Sequence, residues 1–483
     1  MNLKVVSLNV GKALLVSALF MFLSMMVSVF NGMDSSFGPL AISFIVTLLV
    51  GSFPFIFVKK SSAISMKDGF LIVVLAWFLS FVFGMLPYVL WGGDFTLLNA
   101  WFESVSGFTT TGATILTNIE DLPKGLLFWR SSTHFIGGLG VVVFLLLVLP
   151  QSSPFRLKLT NIEMSALSRE GYRYKSSKKV YVFLEVYLVL TVAAFICFML
   201  AGMSCFDAIN HAFSVVATGG FSVKNSSIAT YDSRAIEVVC IVFMMLASTH
   251  FGMLYAAVVG RTLKPLKSPA IKYFYGSAVV VSVIIAIQLM VHGVEHNWGR
   301  AFIDSLFQTV SYITSTGFGS VDNSIWPIAS CTLLMLVAFH CGTAGSTTGA
   351  IKSDRAVMAF KSIGQQLRHT LYPNSVSNVS VGGHAIHDDA ILKIMQFIVL
   401  YTMILAISII LLVIIGMPMT ESVSASISTL GNVGAALGDL GTMGNYGAVP
   451  AVGKFILTLN MFLGRLEIYP VLVVFMMMFK RGK

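Results

Sequence analysis

Long apolar runs fill most of the chain, and short polar or basic segments separate them. Ten runs reach the length of about 17–25 residues that a helix needs to cross a bilayer. They lie near residues 8–30, 39–58, 69–91, 126–149, 180–203, 235–260, 270–292, 325–351, 390–416 and 450–479. The pattern predicts an all-α polytopic membrane protein with ten helices.

Four short stretches between these runs repeat one pattern. Each ends in a glycine, with a serine six residues before it and an acidic or amide residue thirteen residues before it. The glycines are Gly112, Gly220, Gly317 and Gly434, the serines are Ser106, Ser214, Ser311 and Ser428, and the acidic or amide residues are Asn99, Asp207, Asp304 and Glu421. A repeat of this kind predicts four similar modules, each an apolar run, a short loop and a second apolar run.

The segment before each glycine has half the length of a membrane span. Ten helical residues cover about 15 Å, against about 30 Å of hydrocarbon. Asn99, Asp207, Asp304 and Glu421 are suited to the first turn of such half-helices. The opposite ends then direct partial negative charge toward a central cavity, which favours a cation.

Composition and charge agree with a membrane protein. The 483 residues are 56% hydrophobic and 11% charged, whereas a soluble domain carries roughly 25% charge. The net charge of +10 comes from loops that alternate along the chain, near 59–67, 156–179, 261–272, 352–368 and 480–483. This distribution predicts that both termini are cytoplasmic, and it argues against nucleic acid as a partner. The five cysteines show no spacing typical of a metal site or a disulfide framework.

Glycine at the same place in four loops points to a selectivity filter. Glycine adopts backbone angles closed to other residues, and rings of backbone carbonyls replace the hydration shell of potassium. The candidate filter residues are Thr110, Thr111, Gly112, Thr218, Gly219, Gly220, Ser315, Thr316, Gly317, Asn432, Val433 and Gly434. The expected ligand is a potassium ion at the filter carbonyls, and no covalently bound cofactor is expected.

Two glycine-rich stretches interrupt apolar runs. The shorter is Gly137–Gly140, and the longer is Cys341–Gly349. Non-helical backbone at membrane depth is tolerated only inside protein or beside water. The longer stretch is interpreted either as a mobile gate or as a small-residue helix crossing. The gate residues would be Gly342, Thr343, Ala344, Gly345, Ser346, Thr347, Thr348, Gly349 and Lys352. Lys352 is either a second charge near the gate or a snorkelling lysine.

Polar residues within or between other runs also have two interpretations. Arg465 lies in the last run, where a charge costs about 2.5–3.5 kcal/mol and marks a pathway. It would be a barrier in the pore or a salt-bridge partner of Glu467. His250 would be a buried hydrogen-bonded residue or a proton relay. The stretch around Gly382-Gly383 would be a short hairpin or a solvated loop.

Several of these stretches resemble the Trk-type potassium uptake proteins, within the superfamily that also holds the Ktr and HKT transporters. They are FESVSGFTTTGAT (Phe102–Thr114), ATGGFS (Ala217–Ser222), GST (Gly345–Thr347), GRLEIYP (Gly464–Pro470) and DGFLIV (Asp68–Val73). The resemblance covers essentially the whole chain. It implies four pseudo-symmetric helix–pore-loop–helix repeats around one pore, with two extra N-terminal helices. The expected bounds are 1–60 for the extra pair and 61–150, 151–262, 263–369 and 370–483 for the repeats.

The resemblance also implies a function and partners. Potassium uptake, with rubidium accepted, would take place in the bacterial inner membrane through a homodimer. A TrkA-type cytoplasmic nucleotide-binding subunit would control it. Gly112 matches the potassium-type pattern, and Arg465 matches the family's pore-lining arginine. The family's gating loop, near GGCAGSTGGG, is richer in glycine, so Thr343, Thr348 and Ala350 predict a stiffer loop here.

The expected mechanism is a gated, channel-like pathway. A proton- or sodium-coupled symporter is the alternative, although the sequence shows no chain of intramembrane carboxylates. A membrane-embedded enzyme is the remote alternative. It would need clustered acids and histidines at one membrane face.

Overall fold

A computed structural model describes residues 2–58, 65–148, 176–374, 379–381, 384–386 and 388–479. Most of the loop predicted at 151–179 lies outside these residues, as do Gly382-Gly383 and the last four residues. The described chain is predominantly helical, with only four two-residue strands. The expected all-α membrane architecture is therefore confirmed.

The described chain contains eighteen α-helices. They are α1 (Leu3–Phe30), α2 (Phe37–Phe57), α3 (Met66–Gly84), α4 (Leu86–Trp91), α5 (Leu97–Phe108), α6 (Lys124–Val148), α7 (Ser176–Leu200), α8 (Cys205–Val216), α9 (Arg234–Ala247), α10 (Phe251–Val259), α11 (Pro269–Val291), α12 (Trp298–Ile313), α13 (Ile328–Phe339), α14 (Ser353–Leu371), α15 (Asp388–Ile414), α16 (Met419–Leu430), α17 (Ala451–Arg465) and α18 (Tyr469–Phe479). Short 3₁₀ turns occupy Ser227–Tyr231, Lys264–Lys267, Asn323–Ile325 and Gly438–Leu440.

The strands form two small pairs. β1 (His340–Cys341) pairs in parallel with β2 (Ile351–Lys352), and β3 (Ser380–Val381) pairs antiparallel with β4 (His384–Ala385). The second pair confirms the hairpin predicted around Gly382-Gly383.

Six helical stretches in the described ranges are long and apolar enough to cross a membrane: α1, α2, α3 with α4, α7, α11 and α15. The number rises to eight if the bent pairs α9–α10 (99°) and α17–α18 (108°) each count as one span. By length and composition, the other two of the ten predicted runs are not among these apolar spans. The run at 325–351 ends as a helix at Phe339, and the run at 126–149 carries the polar stretch Arg130–His134 in α6.

The run predicted as one helix near 235–260 is bent between α9 and α10, and His250 lies at the bend. This residue caps α10, where its Nδ1 accepts a hydrogen bond from the Met253 N–H at 3.2 Å. Because a cap satisfies free N–H groups at a helix start, the imidazole stabilises the break rather than lying in mid-helix. The interpretation of His250 as a buried, hydrogen-bonded residue is confirmed.

Four short helices, α5, α8, α12 and α16, have 12, 12, 16 and 12 residues. At 1.5 Å per residue they reach about 18–24 Å, too short to span the hydrocarbon layer. The caps Thr96 and Ser204 accept hydrogen bonds from the backbone N–H groups of Asn99 and Asp207, which lie in the first turns as predicted.

The third short helix begins earlier than predicted. Asn297 caps α12 and accepts from the N–H groups of Gly299 and Arg300. Asp304 therefore lies in the second turn of α12 and pairs with Arg300 at 3.6 Å. In α16, Glu421 is the third residue, as the repeat predicts.

The first two helices pack closely against each other and against the rest of the chain. At their crossing, a Cβ on Gly11 would lie 2.6 Å from the carbonyl oxygen of Gly51. The other side of α1 packs on α3 and α6. The extra pair is thus part of the same hydrophobic core as α5 and its neighbours.

Candidate ion pathway

The four short helices end in the same backbone conformation. Thr110, Thr218, Ser315 and Asn432 have φ angles of 52°, 53°, 52° and 54°. Two residues later, Gly112, Gly220, Gly317 and Gly434 have φ angles of 78°, 80°, 80° and 87°. A residue other than glycine rarely adopts a left-handed conformation, which costs about 1–2 kcal/mol. Its recurrence at four equivalent positions indicates a common structural requirement.

The backbone hydrogen bonds at these ends involve the repeated serine in all four loops. The residue before each of these four glycines donates its N–H to the backbone carbonyl of the serine that lies five residues before the donor. The pairs are Thr111 to Ser106 (2.9 Å), Gly219 to Ser214 (2.9 Å), Thr316 to Ser311 (2.9 Å) and Val433 to Ser428 (2.8 Å). This is the hydrogen bond that closes a helix in the Schellman motif, with the left-handed residue just past the helix end.

The four glycines, here called the glycine ring (Gly112, Gly220, Gly317 and Gly434), connect the loops in cyclic order. A Cβ on Gly112 would lie 2.0 Å from the carbonyl oxygen of Gly219 in the second loop. The same relation joins Gly220 to Thr316 O (2.0 Å), Gly317 to Val433 O (2.1 Å) and Gly434 to Thr111 O (2.1 Å). The four loops therefore form a closed ring in which a backbone carbonyl lies against each glycine, and only glycine fits.

Side chains behind the ring hold the loops in place. The hydroxyls of Thr109 and Thr111 are 2.8 Å apart, and those of Thr314 and Thr316 are 2.7 Å apart. Tyr446 donates its hydroxyl to the carbonyl of Gly434 at 2.8 Å. Protein hydrogen bonds thus tie residues within the first and third loops and hold the carbonyl of Gly434.

One cavity adjoins all four ring glycines. It has a volume of about 140 Å³ and is lined mainly by polar groups, including Thr114, Asn225 and Tyr446. The cavity is therefore in contact with all four loops.

A buried ion pair behind the ring was missed by the sequence reasoning. Arg130 Nε lies 2.8 Å from Glu103 Oε1, and both side chains are fully buried. Glu103 also accepts from the hydroxyl of Thr114, and Arg130 donates to the carbonyl of Ser222. Thr114 and Ser222 each lie two residues beyond a ring glycine, so the pair joins the first two loops. A charged residue within an apolar run was the signal that could have found it.

The ring of Phe221 lies between two residues of α6. The Arg130 guanidinium is 3.9 Å from its centroid, and the His134 imidazole stacks on it at 4.1 Å. His134 Nδ1 also lies 2.9 Å from the hydroxyl of Ser214. Since a Cβ on Gly219 would lie 2.3 Å from that nitrogen, the imidazole forms the wall behind the second loop.

The segment from Cys341 to Ala350, here called the buried loop, is not helical and lies mostly buried between β1 and β2. The small-residue helix predicted as an alternative is therefore wrong. Backbone hydrogen bonds join Thr343 N–H to Ser248 O (3.0 Å) and Phe251 N–H to Gly345 O (3.1 Å). The break between α9 and α10 thus holds one side of the loop.

The other side of the buried loop contacts the ends of the short helices. The Thr347 hydroxyl donates to Val216 O at 3.2 Å, and the Gly349 N–H donates to the Ser315 hydroxyl at 3.1 Å. A Cβ on Gly349 would lie 2.4 Å from the carbonyl of Gly431. The loop therefore contacts α8, α12 and α16 where these helices end.

Thr343, Thr348 and Ala350 replace glycines of the family's gating loop, and they differ in backbone conformation. Ala350 has a φ of 50°, in the left-handed region, whereas Thr343 and Thr348 are absent from the positive-φ residues of the described chain. Backbone strain from losing glycine is therefore confined to Ala350 among the three.

Arg465 bridges the buried loop and α6. Its Nη1 donates to Thr347 O at 2.6 Å, and its Nη2 donates to Gly137 O at 2.5 Å. The interpretation of Arg465 as a salt-bridge partner of Glu467 is therefore wrong. Glu467 pairs instead with Arg355 and with Lys352, whose Nζ is 3.8 Å away. Lys352 is only 9% exposed, which places it inside the protein at the end of the loop.

Comparison with known proteins gives one consistent result. The family model described as "TrkH: Cation transport protein" matches residues 39–483. The Trk system potassium uptake protein TrkG of Escherichia coli is 32% identical over 490 residues, covering 100% of this chain and 99% of that protein. The TrkH protein of Salmonella typhimurium is 31% identical over 420 residues, 86% of each chain.

A solved structure agrees with these sequences. The crystal structure of the potassium transporter TrkH from Vibrio parahaemolyticus has a TM-score of 0.88 and 29% identity, covering 98% of both chains. These relatives are named for potassium uptake or potassium transport. The chain belongs to the TrkH family of cation transport proteins.

Proposed function

We propose that this chain takes up potassium across the bacterial inner membrane through a channel-like pathway with a carbonyl-lined filter. The observation that carries the proposal is the closed glycine ring, in which each glycine lies against a carbonyl of the next loop. The relatives named for potassium uptake and the similar potassium transporter structure support the same substrate. Rubidium, a close chemical analogue, is expected to pass as well.

Selection would come from backbone oxygens held at a fixed spacing. Rings of carbonyls replace the water that a potassium ion loses on entry. Each short helix ends at the ring, so its partial negative charge of about half a unit adds to the attraction for a cation. The hydrogen bonds behind the ring resist the contraction that a smaller ion such as sodium would need.

The buried loop would be the gate. In the structure the loop lies across the ends of three short helices. The Arg465 guanidinium connects it to α6 by hydrogen bonds to Thr347 O and Gly137 O. Opening requires the hydrogen bonds from Thr347 to Val216 O and from Gly349 to the Ser315 hydroxyl to break. The cost of breaking these few hydrogen bonds, about 1 kcal/mol each, is within reach of a regulatory partner.

Helix α14 offers a route for that control. It starts directly after β2 and leads away from the buried loop. Phe360, Ile363 and Leu367 lie on one side of it and are 62%, 54% and 62% exposed. Exposed apolar residues at this spacing suit a protein contact. We assign this helix to contacts with a TrkA-type nucleotide-binding subunit or with the second chain of a homodimer, on the cytoplasmic side with both termini.

Replacing Arg465 by glutamine should raise potassium flux. A unit charge about 6 Å from a passing cation opposes it by about 0.7 kcal/mol in water and about 3 kcal/mol at an effective dielectric constant of about 20. The increase should therefore lie between about threefold and one-hundredfold. Rubidium uptake into proteoliposomes with equal amounts of each variant measures it.

Arg465→Lys is the matched control. Lysine keeps the charge but has a single ammonium in place of the fork that bridges Thr347 O and Gly137 O. Its flux should rise less than that of Arg465→Gln. Unchanged flux in Arg465→Gln would contradict both the barrier and the fastening role.

A further inference from the structure

Two hydroxyl side chains at the inner end of the filter are hydrogen-bonded to the buried loop. We call Thr110, Thr218, Ser315 and Asn432 the inner ring, since each lies two residues before a ring glycine and is at most 1% exposed. The Thr218 hydroxyl lies 3.3 Å from that of Thr347, and the Ser315 hydroxyl accepts from the Gly349 N–H. The buried loop thus occupies the acceptor oxygen of Ser315 and accepts a hydrogen bond from Thr218.

The amide of Asn432 differs from the other members of the inner ring. Its Nδ2 donates to the Thr111 hydroxyl at 3.0 Å and to Met461 O at 2.9 Å. Its Oδ1 is buried and has no hydrogen-bond partner within the part of the chain that the structure describes. Buried polar atoms are normally paired, so this oxygen indicates a missing ligand.

The position of that oxygen connects it with the buried loop. A Cβ on Gly349 would lie 2.8 Å from Asn432 Oδ1, so the loop backbone covers it without offering a donor. A cation needs only acceptor oxygens, and hydroxyl and amide oxygens both provide them. The inner ring therefore has the chemistry of a monovalent cation site that the loop covers.

We propose that a permeant cation and the buried loop compete for the oxygens of the inner ring. This inference rests on the proposed function. A cation bound by the Ser315 hydroxyl displaces the N–H of Gly349, and it is repelled by the Arg465 guanidinium held at Thr347 O. Because a ligand that binds only one state increases the population of that state, the permeant ion favours release of its own gate.

The experiment uses a cysteine in the buried loop as a reporter. Ser346 is half-buried, and its hydroxyl bonds only within the loop, to Thr343 O and to the hydroxyl of Thr348. Ser346→Cys is made in a chain in which Cys197 and Cys205 are replaced and the buried Cys240, Cys331 and Cys341 are kept. The same chain without Ser346→Cys gives the background labelling. A thiol reagent is added to the cytoplasmic side of proteoliposomes in potassium, sodium or N-methyl-D-glucamine.

Potassium should accelerate labelling about tenfold over N-methyl-D-glucamine when its concentration is about ten times its dissociation constant. The matched variants are Ser315→Ala, which removes an oxygen used by both competitors, and Ser315→Thr, which supplies the residue found in the first two loops. The acceleration should shrink in Ser315→Ala and persist in Ser315→Thr. A cysteine replacing the exposed Thr370 on α14 should label at one rate in all three cations.

The outcomes separate this inference from the proposed function. Cation-independent labelling with potassium-selective uptake would overturn the competition and leave the filter assignment in place. Equal acceleration by sodium and potassium with unselective uptake would support the competition and overturn the proposed selectivity. Slower labelling in potassium would overturn the competition directly.

Discussion

Gly112→Ser should lower the preference for potassium over sodium by about tenfold or more. The added Cβ would lie 2.0 Å from the carbonyl oxygen of Gly219, a distance that no relaxed contact permits. The second loop must move, and its carbonyl then no longer completes the ring. A loss of about 1.4 kcal/mol in the discrimination between two ions changes their ratio tenfold. Parallel rubidium and sodium flux assays in proteoliposomes measure the ratio.

Gly32→Ser is the control for backbone strain. Gly32 has a φ of 81°, close to the 78° of Gly112, but no atom lies within 4 Å of the position of its Cβ. Serine at Gly32 carries the same conformational cost without crowding a neighbour, so selectivity should stay at the wild-type value. If Gly112→Ser keeps the wild-type ion ratio, the glycine ring is not the selectivity filter.

Glu103→Gln should destabilise the protein by about 3–5 kcal/mol, the cost of leaving one partner of a buried pair without its counter-charge. Arg130 would then be a buried cation with only neutral acceptors, among them Ser222 O and the hydroxyl of Thr114. The contact that joins the first two loops beyond the ring would then depend on Arg130 alone and would weaken. Thermal melting in detergent should shift strongly downward, and potassium flux should fall.

A second substitution tests whether the effect comes from the pair. Arg130→Gln combined with Glu103→Gln removes the uncompensated charge, so the double variant should be more stable than the sum of the single losses predicts. Strictly additive losses, or a Glu103→Gln protein as stable as wild type, would contradict a structural role for the pair.

The parts of the pathway that follow from local sequence could be predicted. The glycine ring and the half-length helices appear because one pattern recurs four times at fixed offsets. The buried loop appears because Gly342–Gly349 contains only small residues in an otherwise apolar run, a composition that favours neither lipid contact nor a stable helix. Each of these features depends on residues close together in the chain.

The features that could not be predicted depend on contacts between distant residues or on a single cap. Asp304 does not lie in the first turn of α12, because Asn297 caps this helix seven residues earlier. Arg465 pairs with carbonyls that lie on two other elements, so the nearby carboxylate of Glu467 was a misleading partner. Glu103 and Arg130 meet only when α5 packs on α6.

The most direct test of the account is ion flux into proteoliposomes that contain the purified full-length chain, with and without an imposed proton gradient. We expect uptake of potassium and rubidium well above that of sodium, down the ion's own gradient and unchanged by the proton gradient. Equal potassium and sodium flux would contradict the carbonyl filter. Uphill potassium accumulation driven by the proton gradient would contradict the channel-like pathway.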